Sequence, residues 1–163
     1  MISLLRLDER LIHGSVAVKV AKGYPCDSIL VVDDEVVNDP LSIKTLQMAS
    51  MSIGNVKTFI KNTDEALKIL CDPRAESRKI IVICRKIDAL YKIACTAPCI
   101  EEINFANYGL MLISKKKRTK YFKTLLLDED EVALAKKVVD LGKPTFYQFT
   151  PQDPKTNLAG FFK

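Results

Sequence analysis

The segment Lys79-Ile-Ile-Val-Ile-Cys84 constrains this chain more than any other. Five apolar residues follow Lys79 with nothing polar between them. A strand alternates its side chains between two faces, so an unbroken apolar run has to be covered on both. Sheets covered on both faces are typically parallel, with crossover helices above and below, so strand and helix must alternate along the chain. The rest of the sequence reads that way. Strands are expected at residues 2–7, 28–32, 56–60, 79–84, 102–105, 121–127 and 145–149. Between them lie segments of helical character. Val16, Ala17, Val20 and Ala21 run from Gly14 to a stop near Gly23 and Pro25. Asp39-Pro40 opens a helix to about Ser50, and Asn62 with Glu65 resembles a capping box opening one to about Cys71. A short helix at 87–95 follows, and Asp128 with Glu131 caps a last one closed by Gly142. No repeat, linker or low-complexity stretch interrupts the pattern. The expectation is a single α/β domain over residues 1–163: three layers, a mostly parallel sheet of about seven strands, and helices on both faces.

Composition closes off several functional classes. At 48% hydrophobic and 28% charged the chain can bury a core and is not disordered as a whole. Its apolar runs are far shorter than a membrane span, and the N-terminus lacks a signal-peptide pattern, which places it in the cytosol. The five cysteines (Cys26, Cys71, Cys84, Cys95, Cys99) are then expected as reduced, structural thiols. With one histidine in the chain and only Cys95 and Cys99 closely spaced, no metal site is expected. The net charge of +5 permits an anionic partner, but no nucleic-acid motif is present. The one dense basic cluster, Lys115-Lys-Lys-Arg118 with Lys120 and Lys123, is read first as a solvated turn; a surface for an acidic partner or an anionic membrane leaflet is the alternative.

The chemistry concentrates in Arg6-Leu-Asp-Glu-Arg-Leu-Ile-His-Gly-Ser15, between two apolar stretches and holding the chain's only histidine. In open α/β sheets, ligands gather beyond the carboxyl ends of the strands, and this loop follows the first strand there. Asp33 and Asp34 end the second strand and could share the same rim, or serve only as turn residues. Nothing resembles a nucleophile elbow, a metal-ligand pair or a glycine-rich phosphate loop, so His13 has to act alone, as a general base or as a nucleophile. Phosphorus suits it: Arg6 and Arg10 could supply donors to phosphate oxygens, and a helix beginning after Gly14 turns its positive end to the same place. Asp8 could accept from one ring nitrogen and leave the other free to attack.

The stretches LLRLDERLIHGSVAVKVAKGY and SILVVDDEVVNDPLSIKTLQMA resemble the IIB component of the mannose/fructose/sorbose family of bacterial sugar phosphotransferase systems. That family opens with R-[ILV]-D-x-R-L-[IL]-H-G-Q-V and ends its second strand in V-V-D-D-E-V-A-N-D. The similarity continues more loosely through IIVICRKIDAL, EINFANYG, LLLDEDEVALAKKVVDLG and QFTPQDPKTNL, and so runs over essentially the whole chain. It implies a phosphorelay without a cofactor: a IIA protein passes a phosphoryl group to His13, which hands it to a hexose carried by the membrane components IIC and IID. On that resemblance Asp8 and Arg10 are the active-site aspartate and arginine, with Arg6, Gly14 and Ser15 also at the phosphate. The chain would work at the inner face of the cell membrane through IIC and IID. Two positions depart from the family. Ser15 stands where it has glutamine, and Asn104-Phe-Ala-Asn107-Tyr-Gly109 stands where it usually has N-I-G-G-M near the rim. The alternative these departures raise is a regulatory module, phosphorylated on His13 but unable to phosphorylate sugar. Neither the sugar nor the oligomeric state is legible in the sequence.

Overall fold

The computed structural model describes residues 1–162; the side chain of Ser15 also lies outside the described residues. Strand β1 (Ile2–Asp8) is buried along its whole length, with β4 (Ile80–Cys84) on one side and β5 (Ile103–Asn107) on the other, both parallel to it. Outward from β4 lie β2 (Ser28–Val32) and β3 (Lys57–Lys61). Outward from β5 lie β8 (Thr145–Tyr147) and the two-residue β9 (Thr156–Asn157), which alone runs antiparallel. The sheet therefore has seven strands in the order β3-β2-β4-β1-β5-β8-β9.

Helices cover both faces, as the apolar run of β4 demanded. On one face α1 (Gly14–Gly23) and α2 (Pro40–Ser50) enclose Leu4, Ile29, Val31, Ile81 and Ile83. On the other, α3 (Thr63–Leu70), α4 (Ile87–Thr96) and α5 (Glu129–Asp140) enclose Leu5, Leu7, Leu30, Val82 and Phe105. Alternation along β1 sends Leu4 to the first core and Leu5 to the second. Each fully buried leucine of this kind is worth about 1.5–3 kcal/mol relative to an exposed one. The helices sort by direction of travel. The chain moves toward β3 through α1 and α2, then back through α3, α4 and α5, which keeps every crossover right-handed. The consequence lies at the carboxyl edge: the connection after β1 leaves toward one face and those after its neighbours β4 and β5 toward the other. A crevice opens where they part. No described helix is long and apolar enough to cross a membrane.

Three expectations change. The expected strand at 121–127 is a hairpin, β6 (Thr119–Phe122) and β7 (Leu125–Leu127), forming a separate two-stranded sheet; β9 supplies the seventh strand instead. The capping box at α5 is complete, but at α3 only Asn62 caps, accepting from the Glu65 amide at 2.8 Å. The Glu65 carboxylate turns to the Lys61 ammonium instead, at 3.3 Å. Of the cysteines only Cys84 is buried; Cys71, Cys95 and Cys99 are exposed.

Candidate functional site

The loop joining β1 to α1 is built from its first residue. Asp8 closes the strand into a turn: its carbonyl accepts from the Leu11 amide at 3.0 Å and its Oδ1 from the Arg10 amide at 3.2 Å. Leu11 sits at φ 56°, in the left-handed region that a leucine occupies at a cost of about 1–2 kcal/mol. Its side chain and that of Ile12 are buried in the core beneath α1, which holds the strained turn in place. Between these anchors Arg10 is exposed, His13 is half-buried and Gly14 is exposed. His13 is the N-cap residue of α1, whose first turn contains no acidic residue, so the positive end of the helix is left uncompensated beside the ring.

The imidazole is biased toward its neutral form. Burial holds its pKa below the usual 6.5, the charges of Arg10 and Arg6 add to this, and Asp8 and the Leu11 carbonyl oppose it. That carbonyl lies 3.2 Å from Nδ1 and can only accept, so Nδ1 bears the proton and Nε2 the lone pair. Nε2 is buried without a hydrogen-bond partner among the described residues. In this rotamer one ring nitrogen is therefore bonded to a carbonyl and the other is enclosed.

Asp8 does not hold the ring directly, as had been expected; the backbone of Leu11 does. Asp8 instead anchors a buried network. Its Oδ2 pairs with the Arg6 guanidinium at 2.8 Å, both side chains being 3% exposed or less. The same guanidinium donates to Asn104 Oδ1 at 2.6 Å and to the Phe149 carbonyl at 2.9 Å. Asn104 donates in turn to the Gln148 carbonyl at 3.0 Å, and the Asn107 amide approaches Asp8 Oδ1 at 3.5 Å. Arg6, expected at the phosphate, is therefore spent inward, because a buried carboxylate needs it more than solvent does. Arg10 makes no ion pair among the described residues and is free to meet an anion.

Asp33 acts as a turn residue, whereas Asp34 ties the end of β2 to the start of α3. Asp33 Oδ1 accepts from the amides of Glu35 and Val36, both at 2.8 Å, and its Oδ2 faces Arg85 at 3.7 Å. Asp34 accepts from the amide of Thr63 at 2.6 Å and from its hydroxyl at 3.1 Å. The basic cluster is partly neutralised. Lys116 pairs with Glu129 and Asp130, and Arg118 binds Glu131 through both Nε and Nη2. Glu131 also accepts from the Tyr108 hydroxyl at 2.9 Å, which with burial drives the Tyr108 pKa upward.

One residue of the loop escaped the sequence reading. Glu9 is buried, and its carboxylate accepts from four successive amides, those of Gly109, Leu110, Met111 and Leu112. Only its place inside so charged a motif hinted at it, since its partners are about a hundred residues away along the chain.

Residues 2–163 match the family described as PTS system sorbose subfamily IIB component. The chain is 33% identical, over 161 residues and 98% of both chains, to a probable phosphotransferase enzyme IIB component of Streptococcus pyogenes serotype M6. It is 28% identical, over 96% of both, to the N-acetylgalactosamine-specific phosphotransferase enzyme IIB component 2 of Escherichia coli K12. Its fold superposes on the crystal structure of the IIBSor domain of the sorbose permease from Klebsiella pneumoniae with a TM-score of 0.86. There the identity is 20%, with 98% of this chain and 94% of that one covered.

Proposed function

The chain belongs to the sorbose-subfamily IIB components of the sugar phosphotransferase system, which are phosphotransferases, and from that premise we propose that His13 is its phosphoryl carrier. The observation that supports this most is the loop itself. An imidazole whose burial disfavours the charged form stands at the N-cap of α1, on a turn fixed by Asp8, with an exposed arginine in the same turn that makes no ion pair among the described residues.

In the reading proposed here, a IIA phosphohistidine approaches and the His13 ring swings off the Leu11 carbonyl. One ring nitrogen attacks phosphorus with its lone pair; the donor's P–N bond breaks and its electrons return to the donor imidazole. Arg10 and the first-turn amides of α1 meet the equatorial oxygens, where charge gathers during transfer. Asp8 positions Arg10 through its amide and is itself held by Arg6, whose guanidinium Asn104 fixes in turn. In the second step a hexose hydroxyl attacks the phosphoryl group and releases its proton, the P–N bond to His13 breaks with its electron pair returning to the ring nitrogen, and the imidazole ends in its neutral form. The hexose arrives through the membrane components IIC and IID, which places the protein at the inner face of the membrane when it acts. Relatives named for different sugars share this fold, so the choice of sugar belongs to those partners.

The test uses phosphoenolpyruvate, the general phosphocarriers and a cognate IIA protein. The expected product is an acid-labile phosphoryl group on His13 that is discharged by sugar in vesicles containing IIC and IID. An acid-stable label, or one that survives in His13→Ala, overturns the reading.

A further inference from the structure

Glu9 has no part in the chemistry proposed above, yet it is 4% exposed and makes more hydrogen bonds than any side chain of the histidine loop. Its Oε1 accepts from Leu110 and Met111 at 2.9 Å, and its Oε2 from Gly109 and Leu112 at 3.1 Å. Four consecutive amides converging on one carboxylate form a nest that fixes the whole turn. Arg118 grips that turn from its other side, donating Nη1 to the carbonyls of Gly109 and Leu112 while its remaining nitrogens hold Glu131. Gly109 completes the clamp. Its φ is 88°, and a Cβ there would stand 2.0 Å from the Leu126 carbonyl oxygen.

This fixed turn holds out an apolar lip. Leu110 is 55% exposed, Met111 67% and Ile113 99%. A buried carboxylate and an arginine pin the backbone of Gly109–Leu112, Ile113 follows directly, and large apolar groups exposed along one short segment mark a contact surface. The lip also lies close to the chemistry. Glu9 sits between Asp8, which fixes the histidine loop, and Arg10, which is free to meet phosphate. Consecutive carboxylates thus hold consecutive walls of one rim: Asp8 the loop of His13, Glu9 the loop of the lip.

We propose that Glu9 is a positioning residue that presents Leu110, Met111 and Ile113 to the protein donating the phosphoryl group to His13. The proposal rests on the carrier reading above. The occupant follows from continuity: a macromolecule whose phosphohistidine reaches His13 covers the strand end from which both loops leave, whereas a hexose or a small phosphoryl donor is too small to span them.

The experiment compares two donors, the phosphorylated IIA protein and the small molecule phosphoramidate. Glu9→Gln keeps the side chain's size but removes its charge and turns one acceptor into a donor facing the amides. Its exchange of the 109–112 amides rises about tenfold. Its KM for phosphorylated IIA rises at least about fivefold with kcat within about twofold, and labelling by phosphoramidate is unchanged. Ile113→Ser, on the fully exposed lip where folding is not at issue, raises the same KM and leaves the amides and the phosphoramidate reaction alone. Unchanged KM for IIA in both variants overturns the proposal, as does an equal loss with both donors. A wild-type protein that neither donor labels on His13 overturns the carrier reading, and this proposal with it.

Discussion

Arg6 and Arg10 stand four residues apart in one motif, and the structure gives them opposite tasks that calorimetry can separate. Arg6→Met keeps the aliphatic stem of Arg6 but removes its guanidinium. Asp8 Oδ2, Asn104 Oδ1 and the Phe149 carbonyl lose their donors at 2.8, 2.6 and 2.9 Å. Breaking a buried ion pair from one side costs about 3–5 kcal/mol, because the remaining charge is stranded. Asp8 Oδ1 still accepts from the Arg10 amide at 3.2 Å, which moderates that term. The two neutral acceptors add about 1 kcal/mol or more between them. A net loss of about 4 kcal/mol lowers Tm by about 8–16 °C in a chain of this size. Replacing both partners, in Arg6→Met/Asp8→Leu, removes the stranded charge and recovers much of that loss. Arg10→Met behaves differently: an exposed side chain without an ion pair shifts stability by no more than about 0.5 kcal/mol, and Tm stays within about 2 °C. Phosphoryl transfer to His13 falls instead, by about a hundredfold, the size seen when one oriented donor is withdrawn from a transition state. Differential scanning calorimetry on the three variants decides. If Arg6→Met melts within about 3 °C of the wild type, the buried network does not have the role assigned to it.

Two further outcomes follow from single atoms. Gly109→Ala forces a Cβ to within 2.0 Å of the Leu126 carbonyl at a φ of 88°, so it lowers thermal stability by several kcal/mol, and an unshifted melting curve counts against the pinned turn. Burial holds the His13 pKa below 6.5, so above that pH folded and unfolded chains are both neutral, while below it the unfolded chain takes the proton first and stability erodes as pH falls. Because this is the chain's only histidine, its imidazole proton resonance reports the value directly; a midpoint at or above 6.5 contradicts the buried, neutral ring.

The alternation of strand and helix was legible because a sheet covered on both faces needs uninterrupted apolar runs, and Ile80–Cys84 provides one. The hairpin at 119–127 was not. Lys123-Thr124, which turns it, has none of the glycine, asparagine or proline that mark a two-residue turn, so the segment reads as one strand. Strand β9 escaped because Thr156-Asn157 is short and polar, and only its pairing with Phe146 and Tyr147 makes it a strand. In the histidine loop, His13 and Arg10 stand out by residue type, whereas the inward destination of Arg6 does not. Alternation along β1 places Arg6 on the same side as Leu4, but composition does not say whether that side faces phosphate or a buried carboxylate.

The same limit explains Glu9 and shows why the motif is so densely charged. A histidine proposed to carry phosphate needs a ring that is free to turn, and here the charged side chains fixing its loop make no hydrogen bond to the ring among the described residues. The chain meets this by working one step back. Among the described residues Asp8 bonds to backbone, to Arg6 and to Asn107, Glu9 bonds to backbone amides, and the ring's hydrogen bond goes to the Leu11 carbonyl. Four charged residues therefore surround His13, but three of them (Arg6, Asp8 and Glu9) are buried and spent on shape. Of these four, Arg10 alone is exposed. Charge in the motif is thus a poor guide to contact with phosphate. Burial sorts the residues that build the loop from the one that meets the ligand, and burial is set by strands that arrive a hundred residues later.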